Sequence, residues 1–402
     1  MLNYYRNERV QDCSALIDLG LHSFADLFIP ENSEFQEPLI PLQVGLDDGI
    51  GLFQLLHLSH PLERYNILPY SYRSANSIST RAHWSNFYLF LVDRIGLKAK
   101  TVCEIGFNDG FLLSLFSENS ELLCGIDASS ELCDHAKNKF DHVYSGVFDE
   151  NLAAEVLSET GAYDLVIANN VVNHANDPVI FFRAVSALLE DDGAFVFEVP
   201  SWHKMMISAR FPDMIYHEHI SYFTVDSILT CLREAALEIK SIQLVDSHGG
   251  SYRVVAQKAT GALKLSCKIA NSLSEGEKQA GIYETAFYSN KQEQIDAYRD
   301  HWLKQFTQKI RNHDSVIGIG AAAKANTWLT WMGLSQRELM YITDSCESKI
   351  GKRTPVTKIP IKSDEILRDL DAPLCIILAW NFSTSLREKL KTLNPNIEFM
   401  EQ

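Results

Sequence analysis

The sequence predicts an α/β protein with two parallel sheets that follow one another along the chain. Apolar segments of strand length alternate with amphipathic stretches of helical length from residue 81 to about residue 258. The same alternation returns from residue 315 onward, after a mostly polar and helical stretch over 263–312. In both regions the first strand ends in a glycine turn, at 106–110 and at 318–320, which is typical of parallel sheets where a helix begins beside a ligand.

Length and charge limit the classes of partner. With 402 residues the chain is long enough for two or three domains, and its net charge of −16 provides no positive field for broad nucleic-acid binding. No apolar run approaches the roughly 20 residues that span a bilayer, and the eight cysteines are scattered without a close pair, as in proteins with reduced thiols. We therefore expect a soluble cytoplasmic protein, monomeric or weakly homo-oligomeric, with a small-molecule substrate and neither a nucleic-acid nor a membrane partner.

Composition divides the chain into three predicted domains. Residues 1–80 are rich in loops and prolines and predict a small N-terminal domain, with short apolar runs such as Pro38–Val44 and Gly51–Leu58. Residues 81–260 predict the first α/β domain. Residues 261–402 predict a helical connector followed by the second α/β domain.

Seven strands are expected in the first α/β domain. The last two are separated by a short connection, which predicts a doubly wound sheet whose last strand is antiparallel. The predicted strands are Thr101–Phe107, Leu122–Ile126, His142–Val147, Tyr163–Asn169, Ala194–Val199, Ile239–Val245 and Tyr252–Lys258.

The first glycine turn indicates a cofactor pocket. The strand from Thr101 contains Glu104 and runs into a turn with Gly106, Asn108 and Gly110, so that the backbone can approach a ligand at the carboxyl edge of the sheet. Asp127 ends the next strand, 23 residues after Glu104, where a carboxylate can accept both ribose hydroxyls. This arrangement suits S-adenosylmethionine or a dinucleotide.

The strand that follows in the sheet supports the same pocket. Asn169 and Asn170 end the predicted strand from Tyr163, and His174 comes four residues later. In an open α/β sheet these side chains line the crevice above the cofactor.

The second glycine turn has two interpretations. Gly318, Gly320 and the acidic Asp344 at the end of the next strand match a nicotinamide-binding pattern. Alternatively, the turn serves packing or a different phosphate, and Lys324 directly after it favours a phosphate ligand.

Tyr216, His217, Glu218 and His219 form the densest group of ionisable residues. Several candidate acids and bases in four positions, just past a strand that ends at Pro200, are typical of proton transfer. A metal site is the competing interpretation. The spacing that puts two histidines on one helical face is absent, so we expect no bound metal.

These motifs, taken in order, resemble one family. The chain is similar over nearly its whole length to the S-adenosylmethionine-dependent sugar C-methyltransferases of deoxysugar biosynthesis, which branch nucleotide-linked 4-keto-6-deoxyhexoses toward mycarose- or kijanose-like sugars. The resemblance rests on Glu-Ile-Gly-x-Asn-Asp-Gly (104–110), Asn-Asn-Val-x-x-His (169–174), Glu-Val-Pro (198–200), Tyr-His-Glu-His-x-Ser-Tyr-Phe (216–223), His-Gly-Gly-Ser-x-Arg (248–253), Gly-x-Gly-Ala-x-Ala-Lys-x-Asn-Thr (318–327) and Leu-x-Trp-Asn-Phe (378–382).

The resemblance implies a class I (Rossmann-like) methyltransferase domain flanked by the small N-terminal domain and by a second Rossmann-like substrate domain. It implies S-adenosylmethionine as the cofactor, held by the first glycine turn, Asp127, Asn169 and Asn170. The catalytic group would comprise His219 as general base, Glu218 to orient it, Tyr216 as donor to the oxyanion, and His174. The substrate is implied to be a sugar linked to a nucleoside diphosphate.

Four further residues are expected to bind that substrate. Lys324 and Arg253 are nominated for the diphosphate, together with Asn326 and His248. The family also has an N-terminal zinc domain with cysteine ligands, but Cys13 is the only cysteine before residue 103 here, and one thiolate cannot complete a four-ligand site. We therefore expect an N-terminal domain of this type without zinc. A nicotinamide-dependent sugar oxidoreductase and a non-catalytic binding protein are the alternative functions.

Overall fold

The computed structural model describes residues 4–66, 78–208, 211–259 and 267–400. They divide into two compact units. Unit 1 comprises Met1–Ser14, Gly45–Ile207 and His219–Glu284, and unit 2 comprises Ala15–Val44, Ser208–Glu218 and Thr285–Gln402. These units differ from the three consecutive ranges predicted above, because the first 80 residues contribute strands to both units and the predicted helical connector is shared between them.

Unit 1 contains the expected sheet. Within the described residues seven strands pair in the spatial order Leu237–Val245, Ser251–Lys258, Leu189–Pro200, Tyr163–Ile167, Thr101–Ile105, Leu122–Asp127 and His142–Ser145. Ser251–Lys258 is antiparallel to both of its neighbours, and the pairs from Leu189–Pro200 to His142–Ser145 are parallel. The prediction of seven strands with an antiparallel last strand is confirmed.

Helices cover this sheet through apolar side chains. Phe182 in the helix Pro178–Leu188 contacts Phe195 and Phe197 edge-to-face at ring-centroid distances of 5.6 and 5.3 Å. Aspartate and threonine side chains accept N–H groups at several helix starts, as Asp177 does from Val179 and Ile180. The helices of unit 1 are Pro61–Asn66, Ile78–Leu89, Phe111–Ser114, Ser130–Ala136, Glu150–Thr160, Pro178–Leu188, Trp202–Ile207, Val225–Glu234 and Lys268–Gln279.

Two short antiparallel pairs complete unit 1. Tyr4–Arg6 pairs with His57–Ser59, and Leu52–Leu55 pairs with Ser221–Tyr222. The second pair matters for function because Ser221 lies two residues after His219, and the N–H of Leu55 donates to the Ile220 carbonyl at 2.9 Å.

Unit 2 contains the second predicted sheet. Five strands pair in parallel in the spatial order Ile361–Ser363, Tyr341–Asp344, Val316–Ile319, Leu374–Ile377 and Glu398–Met400. The helices Thr285–Lys309, Ala323–Met332 and Ser383–Leu393 and the 3₁₀ turns Asp364–Asp369 and Trp380–Phe382 accompany them. Two antiparallel pairs add N-terminal residues: Ile17–His22 pairs with Ile40–Asp47, and Ile29–Pro30 with Lys352–Arg353.

The cysteines are all free thiols. Five are buried (Cys103, Cys124, Cys133, Cys231 and Cys375), and three are partly exposed (Cys13, Cys267 and Cys346). Among the described residues, no three His, Cys, Asp or Glu side chains are grouped as a metal site would require. In the same part of the chain no helix has the length and hydropathy to cross a membrane.

A buried glutamate connects three elements of unit 1. Glu277, in the helix Lys268–Gln279, has no exposed surface. Its carboxylate accepts the N–H of Val225 at 2.9 Å, the hydroxyl of Tyr252 at 2.6 Å and that of Tyr283 at 3.4 Å. It therefore satisfies an amide at the start of the helix Val225–Glu234 and a hydroxyl of the sheet.

Replacement of Glu277 by Ala should lower the free energy of unfolding by about 2–4 kcal/mol, because at least two buried donors lose their acceptor. Denaturant unfolding followed by circular dichroism measures this. Glu275→Ala is the matched control, since Glu275 is exposed on the same helix and its loss should change stability by less than about 0.5 kcal/mol. Equal effects of the two substitutions would contradict the structural role given to Glu277.

Candidate functional site

The first glycine turn lies at the carboxyl end of the central strand Thr101–Ile105 in unit 1. Gly106 and Gly110 have φ values of +70° and +76°. A Cβ atom at Gly106 would lie 2.2 Å from Cγ2 of Val171, and one at Gly110 would lie 2.6 Å from Cζ of Phe140. Both positions therefore require glycine for conformation and for space. The contact with Val171 also brings the end of the neighbouring strand, Tyr163–Ile167, against the turn.

Asp127 closes this turn. One of its carboxylate oxygens accepts the N–H of Asn108 at 3.1 Å, and the other accepts the N–H of Ser129 at 2.9 Å. Asn108 has a φ of +55°, a conformation that asparagine tolerates better than most residues. Asp127 is half-buried at this edge of the sheet, where its carboxylate is predicted to accept two ribose hydroxyls.

Buried polar atoms without partners lie at the same edge of the sheet. Within the described residues, one carboxylate oxygen of Glu104, both amide atoms of Asn169 and the amide oxygen of Asn170 have no hydrogen-bond partner. Burial raises the pKa of Glu104 well above its ordinary value. Unpartnered buried polar atoms are costly, and their concentration beside a glycine turn fits a polar ligand with hydroxyl, amino and carboxylate groups such as S-adenosylmethionine.

A group of histidines adjoins these asparagines. His174 lies in the 3₁₀ turn Val172–His174, and its ring meets that of His219 edge-to-face at a centroid distance of 4.9 Å. The N–H of Ile220 donates to the Asn173 carbonyl at 2.8 Å and so fixes the backbone beside His219. Both histidines were predicted from the sequence, and unit 1 brings them together.

His174 is a neutral residue at neutral pH. Burial lowers its pKa to about 3, and the positive charge of Arg64 and the imidazole of His248 lower it further. His174 is therefore a poor general base, in contrast to its place in the predicted catalytic group. His248 has a φ of +53°, in the left-handed region. Two other predicted site residues, Asn108 and Asn170, share this conformation, which functional sites often contain.

Glu218 belongs to unit 2 and is held by the backbone of an N-terminal turn. The N–H of Asp26 donates to one of its carboxylate oxygens at 2.8 Å, and the other oxygen has no partner among the described residues. Burial raises the pKa of Glu218 to about 7. Asp26 was not predicted, because a backbone donor leaves no signal in the sequence.

The other members of the Tyr216–His219 group differ in their surroundings. His217 is buried, its Nε2 lies 3.1 Å from the Ile40 carbonyl oxygen, and its ring meets Phe24 edge-to-face at 6.2 Å. These contacts indicate a structural residue. Tyr216, the predicted oxyanion donor, is half-buried.

Asn326 supports the turn that holds Glu218. Its amide nitrogen donates to the Ala25 carbonyl at 2.6 Å, in the residue adjacent to Asp26, while its amide oxygen is buried without a partner in the described structure. The side chain is only 2% exposed. These contacts favour a positioning role over the substrate contact expected for Asn326.

Arg253 has a structural environment as well. Its guanidinium donates to Glu198 at 2.6 Å across paired strands and lies 5.0 and 4.9 Å from the ring centroids of Phe87 and Phe90. His83 binds the other oxygen of Glu198 at 2.8 Å. Arg253 is 7% exposed. Its buried partners thus argue against the predicted contact with a diphosphate.

The second glycine turn is accounted for by packing. A Cβ atom at Gly320 would lie 2.5 Å from Cβ of Ala379, and one at Gly318 would lie 2.7 Å from Cδ1 of Leu378. Asp344 accepts the N–H groups of Ala321 and Cys346 at 2.7 and 2.8 Å. The interpretation of this turn as a packing element therefore explains its glycines without a nicotinamide.

Comparison with known families decides the class of enzyme. Residues 79–242, which include the glycine turn, Asp127 and the asparagines, match the family described as "Methyltransferase domain". The chain is a methyltransferase that uses S-adenosylmethionine. Residues 246–399 match the family described as "C-methyltransferase C-terminal domain", which indicates transfer of the methyl group to carbon.

The chain is also similar to individual proteins. The methyltransferase is 28% identical over 366 residues to the C-methyltransferase NovU of Streptomyces niveus, covering 91% of this chain and 85% of that protein. It is 26% identical over 199 residues to a ubiquinone biosynthesis O-methyltransferase of Nitrosospira multiformis, covering 45% and 81%. Among solved structures, an S-adenosylmethionine-dependent methyltransferase from Clostridium acetobutylicum superposes with a TM-score of 0.37 and 15% identity, covering 46% of this chain and 94% of that one.

Substitution of Asp127 by Ala should weaken the binding of S-adenosylmethionine to this methyltransferase by roughly 1.5–3 kcal/mol, the value of hydrogen bonds to a charged group. Titration calorimetry measures the affinity. Asp344→Ala is the matched control, because Asp344 accepts two backbone N–H groups in the same way in the other sheet. Unchanged affinity in the Asp127 variant, or a loss of affinity in the control, would remove Asp127 from the cofactor site.

Proposed function

We propose that the methyl acceptor is the carbon next to the ketone of a nucleotide-linked 4-keto-6-deoxy sugar. The observation that carries the proposal is the position of His219 in unit 1. Its ring contacts His174, which follows the unpartnered asparagines of the cofactor edge by a few residues. A buried imidazole at that place suits proton removal from a carbon acid beside a methyl donor.

The motifs described above and the likeness to a C-methyltransferase over 91% of the chain support the same proposal. Direct attack by a sugar carbon requires prior removal of its proton, and a neighbouring ketone makes that proton acidic. A site for O-methylation needs no carbon acid. Methylation at carbon and methylation at oxygen therefore differ in the atom that loses a proton.

In the proposed mechanism His219 accepts the proton from the carbon next to the ketone. Tyr216 donates a hydrogen bond to the oxygen that becomes negative. Glu218, held by the Asp26 N–H, orients the base by fixing the backbone next to His219. S-adenosylmethionine supplies an electrophilic methyl group on a good leaving group, so the protein contributes mainly position. His174, which stays neutral, keeps the imidazole of His219 in a fixed orientation through the edge-to-face contact.

The test is an incubation with methyl-labelled S-adenosylmethionine and a panel of dTDP-, GDP- and CDP-linked 4-keto-6-deoxy sugars. We expect label in a carbon-bound methyl group of one keto sugar, identified by NMR. The same sugar reduced to its 4-hydroxy form is the matched control and should receive no label, because it lacks an acidic carbon. Label on oxygen, or equal transfer to the reduced sugar, would contradict the proposal.

A further inference from the structure

Side chains from the N-terminal part of unit 1 hold the loop that carries His174. The guanidinium of Arg64 donates from Nη2 to the His174 carbonyl at 3.2 Å and to the amide oxygen of Asn176 at 2.6 Å. Its Nη1 donates to the Ser59 carbonyl at 2.9 Å, which anchors Arg64 to its own segment. One guanidinium thus connects two segments of unit 1 that lie 110 positions apart in the sequence.

Two further contacts hold the same loop. The amide nitrogen of Asn176 donates to the hydroxyl of Tyr5 at 2.9 Å, and Arg9 donates to both carboxylate oxygens of Asp177 at 2.8 and 2.7 Å. The side chains of Arg9 and Asp177 are 28% and 30% exposed, whereas Arg64 is 8% exposed. Because solvent screens exposed contacts, the contacts of Arg64 should contribute most to the position of the loop.

The turn that carries His174 lies between Arg64 and the segment of His219. The Asn173 carbonyl accepts the N–H of Ile220, the residue after His219, at 2.8 Å. The His174 carbonyl accepts from Arg64, while the His174 ring meets the His219 ring at a centroid distance of 4.9 Å. Loss of the Arg64 contacts therefore releases one side of the turn and disturbs the contact between the two rings.

Arg64 also acts on the imidazole of His174 through its charge. Burial is the main cause that lowers the pKa of His174 to about 3, and the charge of Arg64 and the imidazole of His248 lower it further. The ring of His219 is a further titratable group in contact with it. Because His174 stays neutral, it does not repel the proton that His219 is proposed to accept.

We propose that Arg64 is a positioning residue of the methyl-transfer reaction, which fixes the turn of His174 so that this ring orients His219 for proton removal. The inference rests on the function proposed above, because it takes His219 as the base. A guanidinium suits this task, since its planar donors reach three acceptors at once. No site residue was predicted before Glu104, so this inference extends the site to the N-terminal part of unit 1.

The experiment compares variants of the full-length protein with the keto sugar that the wild type methylates. Arg64→Met removes the charge and all three contacts. It should lower turnover and solvent-deuterium exchange at the reacting carbon in parallel, each by at least about tenfold, because both depend on the orientation of the base. The affinity for S-adenosylmethionine, measured by calorimetry, should stay within about threefold of the wild type, because Asp127, Asn169 and Asn170 are unchanged.

Arg64→Lys separates charge from geometry. Lysine keeps the positive charge, but its single nitrogen cannot reach all three acceptors, so turnover should lie between those of Arg64→Met and the wild type. If Arg64→Met does not fold, Arg64→Lys takes its place, and wild-type turnover and exchange in Arg64→Lys would then overturn the inference.

Arg9→Met is the matched control. Arg9 is an arginine of the same unit that holds the same loop through Asp177, three residues after His174, but it has no contact with the His174 carbonyl among its hydrogen bonds described above. Its turnover and exchange should stay within about twofold of the wild type, because its contact is exposed. An equal loss of turnover in Arg9→Met and Arg64→Met would show a general loosening of the loop and would overturn the role given to Arg64.

NMR of ¹⁵N-labelled histidine provides a readout that needs no substrate. Between about pH 5 and pH 8 the His174 ring should not titrate in the wild type or in Arg64→Lys. In Arg64→Met its nitrogens should begin to shift at the acid end of this range, because one of the causes that lower its pKa is gone. Arg9→Met should behave like the wild type.

Failure of the proposed function is recognised separately. If the wild type methylates no keto sugar, the proposed function fails, and the NMR result alone decides whether Arg64 acts on His174. An unchanged His174 titration in Arg64→Met would then overturn the inference as well. If a keto sugar is methylated but Arg64→Met keeps wild-type turnover and exchange, the proposed function stands and the role of Arg64 is overturned.

Discussion

Replacement of His219 by Asn should reduce turnover on the order of 10²–10⁴-fold while leaving the affinity for S-adenosylmethionine unchanged. The reason is that asparagine cannot accept the proton from the carbon next to the ketone, whereas Asp127, Asn169 and Asn170 of the cofactor edge are unchanged. Steady-state kinetics and calorimetry measure the two quantities. The variant should also lose solvent-deuterium exchange at that carbon when S-adenosylhomocysteine replaces the methyl donor.

His217→Asn is the control for this prediction. His217 lies in the same segment and is buried, but its Nε2 is engaged by the Ile40 carbonyl oxygen at 3.1 Å. Its loss should lower stability by about 1–2 kcal/mol through the lost hydrogen bond and leave deuterium exchange in place. Near-normal turnover and exchange in the His219 variant would falsify its assignment as base, and Tyr216 would become the leading candidate, since the low pKa of His174 makes it a weak base.

Glu218→Gln should stabilise the fold at alkaline pH. The pKa of Glu218 is about 7 in the folded protein because of burial, and its ordinary value is 4.5. The unfolded chain therefore releases this proton first, so the free energy of unfolding falls as the pH rises from about 4.5 to about 7. The difference between a pKa of about 7 and the ordinary 4.5 corresponds to roughly 3 kcal/mol. Glutamine carries no charge, so at pH 8 the variant should be more stable by up to that amount.

Denaturant unfolding of wild type and variant at pH 5 and pH 8 tests this difference. Glu37→Gln is the control in the same unit, because the pKa of Glu37 is lowered whereas that of Glu218 is raised. Burial raises the pKa of Glu37, but backbone N–H groups and Arg353 outweigh burial and hold it below the ordinary value. Its loss should destabilise the protein at pH 8. If Glu218→Gln gains no more stability at pH 8 than at pH 5, the carboxylate of Glu218 is stabilised by partners other than Asp26.

The central strands of both sheets could be predicted because they are continuous apolar segments that are buried almost throughout, as Tyr163–Ile167 and Leu374–Ile377 are. The strand Ile361–Ser363 was not predicted, since it is three residues long and has only one apolar side chain. The division of the first 80 residues between two units was not predicted either. Pairs such as Ile29–Pro30 with Lys352–Arg353 join residues more than 300 positions apart, and no local pattern reports them.

The site was predictable where conformation demands a residue type. Gly106 and Gly110 have positive φ and no space for a Cβ atom, and both stand out in the sequence. The surroundings of Arg253 could not be predicted from the sequence. It was nominated for its charge, but its partner Glu198 lies opposite it on the neighbouring strand, and only the register Glu198↔Arg253 reveals the pair. The role of Asn326 depends likewise on the Ala25 carbonyl, 301 residues away in sequence.

The natural cysteines can report local opening of each unit through the rates at which they react with a thiol reagent. Cys103, Cys124, Cys133 and Cys231 are buried in unit 1, and Cys375 is buried in unit 2. A thiol reagent therefore labels the three partly exposed cysteines quickly and the five buried ones only when their surroundings open. Because a peptide mass identifies each labelled cysteine, the rate at Cys375 and the rates at the other four describe the local opening of each unit separately. Ligand protection can then be assigned to the unit that binds the ligand, without any introduced probe.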